Sequence, residues 1–286
     1  MDDQVCIGAV SVGPADGSGP SLPDTVTVTV AELSRRGADV VILPELFARP
    51  YVAGDDPIRW RHLAEPLDGP TVRWAERLSN ETGVALLFGM ALEAGSGLPL
   101  NAAVLVRPGS KPEVAGTKIH LPPAASGAFG EGDHFSPGPP EVGIVEIAGI
   151  RLAVVICYDR RFPECWRLAA SGGAEVVAVL VGGPADGDPD GLFAAELRTH
   201  ARANAVYAIA ASRFGTETLT GHAVRHDGET LVVGPDGAVL SQAPAGGSVL
   251  ATIIKQDLER ARAFNPTAAR LRLPSFGQCS HKEQET

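Results

Sequence analysis

The tightest constraint on the fold of this chain is its alternation of short, β-branched apolar runs with longer amphipathic stretches. Residues 5–12, 39–43, 84–91, 102–106, 142–147, 152–156, 176–181, 207–211, 230–233 and 249–253 read as strands. Residues 24–36, 71–82, 163–172, 191–204 and 256–264 read as helices. Strands this apolar must be buried on both faces, and the intervening helices supply the cover, so an α/β class follows. One stretch has two periods: TVTVTV at 25–30 alternates as a strand does. Asp24 as an N-cap, Val26, Val30 and Leu33 on one helical face and Gly37 as a C-cap select the helix. A helix there also provides the crossover that parallel neighbouring strands require.

With 286 residues and no shift in composition, 1–266 reads as a single domain. After Pro266 the apolar periodicity stops and the chain ends in HKEQET, so 267–286 is expected to be a tail, disordered or at a dimer interface. The net charge of −10 argues against a nucleic-acid partner, because phosphate neutralisation needs clustered Lys and Arg. No apolar run approaches the roughly 18 residues of a membrane helix. The four cysteines, Cys6, Cys157, Cys165 and Cys279, do not make a disulfide framework, and MDDQVCIGAV lacks the basic start of a signal peptide. A cytoplasmic protein is expected.

Several chemistries are missing from the sequence. It has no GxSxG elbow, no HExxH, no CxxC pair, no phosphate loop and no GxGxxG after a strand. The seven histidines lack metal-ligand spacing, so no metal or cofactor is expected.

Three polar residues stand at apolar strand ends instead. Cys157 sits where a strand turns into a proline-initiated helix, with Arg160 and Arg161 following. Backbone N–H groups and the two guanidinium groups would favour the thiolate there and lower its pKa. The alternative is a small buried apolar residue. Glu45 ends DVVILPELF, where a carboxylate is costly unless partnered. It is either a base or a solvated strand end. Lys118, in VAGTKIHLP, is an isolated cation that could stabilise an oxyanion or could simply snorkel to the surface. Acid, cation and thiol at strand ends can converge on one edge of an α/β sheet.

VVILPELF, GTKIHLP and VVICYDRRFPE together resemble the three signature segments of the nitrilase superfamily of carbon–nitrogen hydrolases. RANAVYAIAASRFG and VVGPDGAVL extend the resemblance over nearly the whole chain. It implies a four-layer αββα sandwich with two mixed sheets flanked by helices, a homodimer or higher homo-oligomer, and a Glu–Lys–Cys triad at Glu45, Lys118 and Cys157. A second glutamate of the family matches Glu131 in FGEGDHFSPG better than Glu141. The implied chemistry is cleavage of a small amide or N-carbamoyl substrate through a cysteine acyl-enzyme, with the backbone N–H of Tyr158 beside Lys118 at the oxyanion.

The segment DRRFPE is similar to that of N-carbamoyl amino acid amidohydrolases, in which the arginines grip a carboxylate, so Arg160 and Arg161 are candidate substrate ligands. Structural ion pairs with Asp159, Glu164 or Glu45 are the alternative. Tyr158 replaces the Asn of those enzymes, and GGPADGDPDG lacks their Asn-Thr-Pro, which leaves aliphatic and ω-amidases open. The CWE-type segment of nitrile hydrolases is missing. A catalytically silent binding member is the non-enzyme alternative.

Overall fold

The computed structural model describes residues 4–15, 24–95, 97–123, 130–182, 189–219 and 222–270. The first half of the chain runs β1 (Gln4–Val10), α1 (Asp24–Arg35), β2 (Val40–Ile42), α2 (Pro57–Trp60), α3 (Pro70–Thr82), β3 (Ala85–Leu92), β4 (Leu100–Val106) and β5 (Glu113–Thr117). The second half continues β6 (Ile144–Ile147), β7 (Ile150–Ile156), α4 (Pro163–Ser171), β8 (Val176–Val181), α5 (Leu192–Asn204) and β9 (Tyr207–Ser212). It ends with β10 (Phe214–Leu219), β11 (His222–Asp227), β12 (Thr230–Val233), β13 (Val239–Ala243), β14 (Ser248–Ile254), α6 (Lys255–Phe264) and α7 (Thr267–Arg270).

Two six-stranded mixed sheets result, ordered β14-β1-β2-β3-β4-β5 and β13-β12-β9-β8-β7-β6. Strands β1 to β3 are parallel in the first, and β7 to β9 in the second. One core joins the inner faces, with Ile7, Ile42 and Leu87 of one sheet packed with Leu152, Leu180 and Ile209 of the other. The outer face of the first sheet is covered by α1 and α3 through Val26, Val30, Leu33, Val72 and Leu78. The outer face of the second is covered by α4 and α5 through Trp166, Ala169, Leu197 and Ala201. This is the expected four-layer αββα arrangement.

TVTVTV forms the helix α1, and the buried residues are the three on its apolar face, Val26, Val30 and Leu33. Other expectations need correction. The strand expected at 142–147 begins at Ile144. Strands β5, β10, β11 and β13 carry too few apolar residues to show a clear period, and neighbouring strands recruit them instead. The expected tail opens with the helical turn α7, because Thr267 Oγ1 donates to the Ala203 carbonyl at the end of α5 (2.6 Å). Residues 271–286 lie outside the described residues. No described helix is long and apolar enough to cross a membrane.

Candidate active site

The site lies where strands of both sheets end. Glu45 follows β2, Lys118 follows β5 and Cys157 follows β7 at the head of a 3-10 turn, Cys157–Arg161. Glu131 opens another such turn, Glu131–Asp133. The chain comes close enough for this only because two neighbours of Glu45 have no side chain. A Cβ on Gly89 of β3 would lie 2.5 Å from Glu45 Cα, and one on Gly182 would lie 2.8 Å from the Glu45 carbonyl oxygen. Gly182, just past β8, donates its N–H to Glu45 Oε2 (2.8 Å).

Lys118 is buried and does not snorkel. Its Nζ donates to Glu45 Oε1 (2.8 Å) and to both oxygens of Glu131 (2.7 and 2.6 Å). Both carboxylates are also buried. A buried charge needs such partners, because isolated burial costs far more than a salt bridge at the surface can return. Burial alone would lower the Lys118 pKa, but Glu131 and Glu45 outweigh it and hold the ammonium well above its usual range. Burial raises Glu131, against the opposing pull of Lys118. Glu141, the weaker sequence match, is exposed.

Two further residues complete the network, and sequence reasoning missed both. Asn101 of β4 donates from Nδ2 to Glu45 Oε1 (2.6 Å) and reaches Glu131 Oε2 (3.4 Å), and its carbonyl accepts the Lys118 N–H (2.8 Å). Tyr51 donates its hydroxyl to Glu131 Oε1 (2.6 Å). Neither left a readable signal, although Asn101 is a lone polar residue opening the apolar run LNAAVLV.

Cys157 is buried and has a positive φ of 45°, a backbone conformation that a non-glycine residue holds only when its surroundings impose it. The expectation of a lowered thiol pKa is overturned. Burial, with Glu45 next, pushes the thiol up to about 12, and Lys118 and Arg160 offset this only in part. The physical reason is desolvation beside a cluster of two carboxylates and one ammonium.

The arginines are placed differently from each other. Arg160 is buried, pairs with Glu196 of α5 (Nε to Oε2, 2.9 Å) and donates to the Cys157 carbonyl (3.2 Å). Glu196 is not among the three acids expected from the sequence. Arg161 is exposed, with its guanidinium 5.7 Å from the centre of the Tyr158 ring. Tyr158 is half-buried and meets Phe162 edge-on. The segment GGPADGDPDG lies largely outside the described residues.

The profile of the family described as Carbon-nitrogen hydrolase matches residues 24–263, most of the chain. The chain belongs to this family. Proteins similar to it include the deaminated glutathione amidase of Homo sapiens, 30% identical over 90% of this chain and 79% of the human protein. The N-carbamoylputrescine amidase of Solanum lycopersicum is 27% identical over 84% of each chain. In fold, the chain resembles a carbon-nitrogen hydrolase from Helicobacter pylori G27, with a TM-score of 0.82 and 22% identity over 94% of this chain and 96% of that one. It also resembles Saccharomyces cerevisiae Nit3, a member of branch 10 of the nitrilase superfamily, with a TM-score of 0.76 and 20% identity over 93% and 96% of the two chains. As a member of this family, the protein is a carbon-nitrogen hydrolase.

Proposed function

We propose that the protein hydrolyses a small amide or N-carbamoyl compound through a thioester on Cys157. The observation that carries this is the buried Lys118 ammonium held between Glu45 and Glu131, beside the strained turn that presents the thiol. A thiol with a pKa near 12 is a thiol at neutral pH, so its proton must go to a base as attack begins. Glu45 is that base. The sulfur adds to the carbonyl carbon, and the oxyanion is held by Lys118 and the backbone N–H of Tyr158. Glu45 returns the proton to the departing nitrogen, which leaves as ammonia or an amine. It then takes a proton from the water that attacks the thioester, and the thiol reforms as the acid is released. Glu131 stays ionised as the second counter-ion of Lys118.

The two arginines that follow Cys157 take different parts in this reading. Arg160 is engaged by Glu196 and by the Cys157 carbonyl, a geometry that suits holding the nucleophile turn in place. Arg161, exposed and 5.7 Å from the centre of the Tyr158 ring, is the arginine proposed for a substrate carboxylate. Ammonia release from a panel of carbamoyl amino acids, carbamoyl diamines, ω-amides and simple amides tests both points. Preference for carboxylate-bearing members supports the Arg161 role; equal turnover of carboxylate-free amides removes it. No turnover by any member favours the silent binding alternative.

A homodimer in the cytoplasm is proposed with this function. Leu168 on α4 and Leu192 at the start of α5 are exposed apolar residues on one outer layer. Light scattering on the full chain checks the assembly.

A further inference from the structure

Beside the site, His120, Asp159 and Cys165 bring a ring nitrogen, a carboxylate oxygen and a sulfur within 4.8 Å of one another. Among the described residues no other three of His, Cys, Asp and Glu come together in this way. We propose that these three residues bind one thiophilic divalent cation of the zinc type. The proposal is independent of the function assigned to Cys157.

The distances suit such an ion. His120 Nδ1 lies 2.8 Å from Asp159 Oδ1 and 3.9 Å from Cys165 Sγ. Zinc bonds of about 2.0–2.1 Å to nitrogen or oxygen and about 2.3 Å to sulfur, at a tetrahedral angle, set the donors about 3.3–3.6 Å apart, so the nitrogen–oxygen pair opens by about 0.5 Å and the sulfur closes by about 0.3 Å as the ion enters. The ligands are held from behind. The His120 ring stacks on Phe162 with centroids 3.6 Å apart, and Asp159 accepts the backbone N–H groups of Ile119 (3.2 Å) and His120 (2.8 Å). Such backing orients ligands before the metal arrives. Cys165 is buried, whereas the His120 side chain is 34% exposed and gives the ion a way in.

On binding, the ion replaces the ring proton between His120 and Asp159. That proton moves to Nε2 of the same ring, and the Cys165 thiol gives up its own to solvent. One proton leaves per ion, and the 2+ charge meets one carboxylate and one thiolate. The ligands come from the strand end after β5, the nucleophile turn and α4, so the ion ties three segments together. Sequence spacing concealed them, because 39 residues separate His120 from Asp159.

The test is a Co2+ titration of the full chain carrying Cys157→Ala, so that the catalytic thiol cannot contribute. We expect one Co2+ per chain, with a thiolate charge-transfer band, the visible bands of a four-coordinate ion, displacement by Zn2+ and a higher Tm with Zn2+. Adding Cys165→Ala or His120→Gln weakens binding about 10–100-fold. His120→Gln changes a part-exposed side chain, so it decides the matter if Cys165→Ala fails to fold. Absence of the band at saturating Co2+ overturns the proposal. So does a band unchanged by both substitutions, which places the ion on another cysteine.

Discussion

The hydroxyl of Tyr51 donates a 2.6 Å hydrogen bond to Glu131 Oε1, while its backbone N–H is accepted by Glu217 Oε2 at 2.8 Å. Glu217 belongs to the hairpin β10–β11 and also pairs with buried Arg213, whose guanidinium donates to the Leu46 carbonyl (3.2 Å). The loop after Glu45 is therefore tied at one end to the counter-ion of Lys118 and at the other to the hairpin. Tyr51→Phe keeps the ring against His226 and removes one donor to a charged acceptor, an interaction typically worth about 1.5–3 kcal/mol. We expect kcat to fall about 10–100-fold with KM little changed, measured by ammonia release.

Glu131 must be ionised to accept from Lys118 and Tyr51, and burial raises its pKa above the ordinary 4.5. As pH falls through that raised value the carboxylate gains a proton and the network loosens. The acid limb of kcat/KM should accordingly lie above 4.5. Glu131→Gln should lower the rate and displace that limb. A pH–rate profile of both proteins checks this, and an unmoved limb assigns it to another group.

The Cys157 thiol, pushed up to about 12, should stay protonated in the free protein at neutral pH. An ultraviolet difference spectrum between the native chain and Cys157→Ala should show no thiolate absorption there. Alkylation by iodoacetamide should be slow without substrate. A resting thiolate would instead point to the arginine-assisted ion pair expected from the sequence.

The layers were legible because each core-facing element carries its own period: Val26, Val30 and Leu33 mark a helix, and VVAVLV at β8 marks a strand buried on both faces. Glu45, Lys118 and Cys157 stood out in the sequence only together, as acid, cation and thiol each closing an apolar strand, because any one of them alone reads equally as a structural residue. Tyr51 and Asn101 did not, since their importance lies in partners 80 and 56 residues away. The hairpin β10–β11 was missed because its strands, FGTETL and HAVRHD, bury Glu217 and His226 in a polar network and show no apolar stripe. Nearby arginines in the sequence suggested a thiolate; only the fold reveals that burial outweighs them.

Gly89 leaves room for Glu45, since an added Cβ would meet Glu45 Cα at 2.5 Å and Leu46 N at 2.9 Å. Gly89→Ala should displace the Glu45 carboxylate, cost about 1–3 kcal/mol of stability and reduce kcat/KM at least tenfold. Gly116→Ala, whose Cβ would meet nothing closer than 3.5 Å, is the control and should change both little. Thermal unfolding and ammonia release on the two variants measure the difference.

The most direct measurement of the central claim is the intact mass of the protein, acid-quenched during turnover of a substrate found in the panel, followed by peptide mapping. The account predicts an added acyl or carbamoyl group on the peptide containing Cys157, absent from Cys157→Ala, which should also release no ammonia. Turnover by Cys157→Ala, or an acyl group carried elsewhere on the chain, would contradict it.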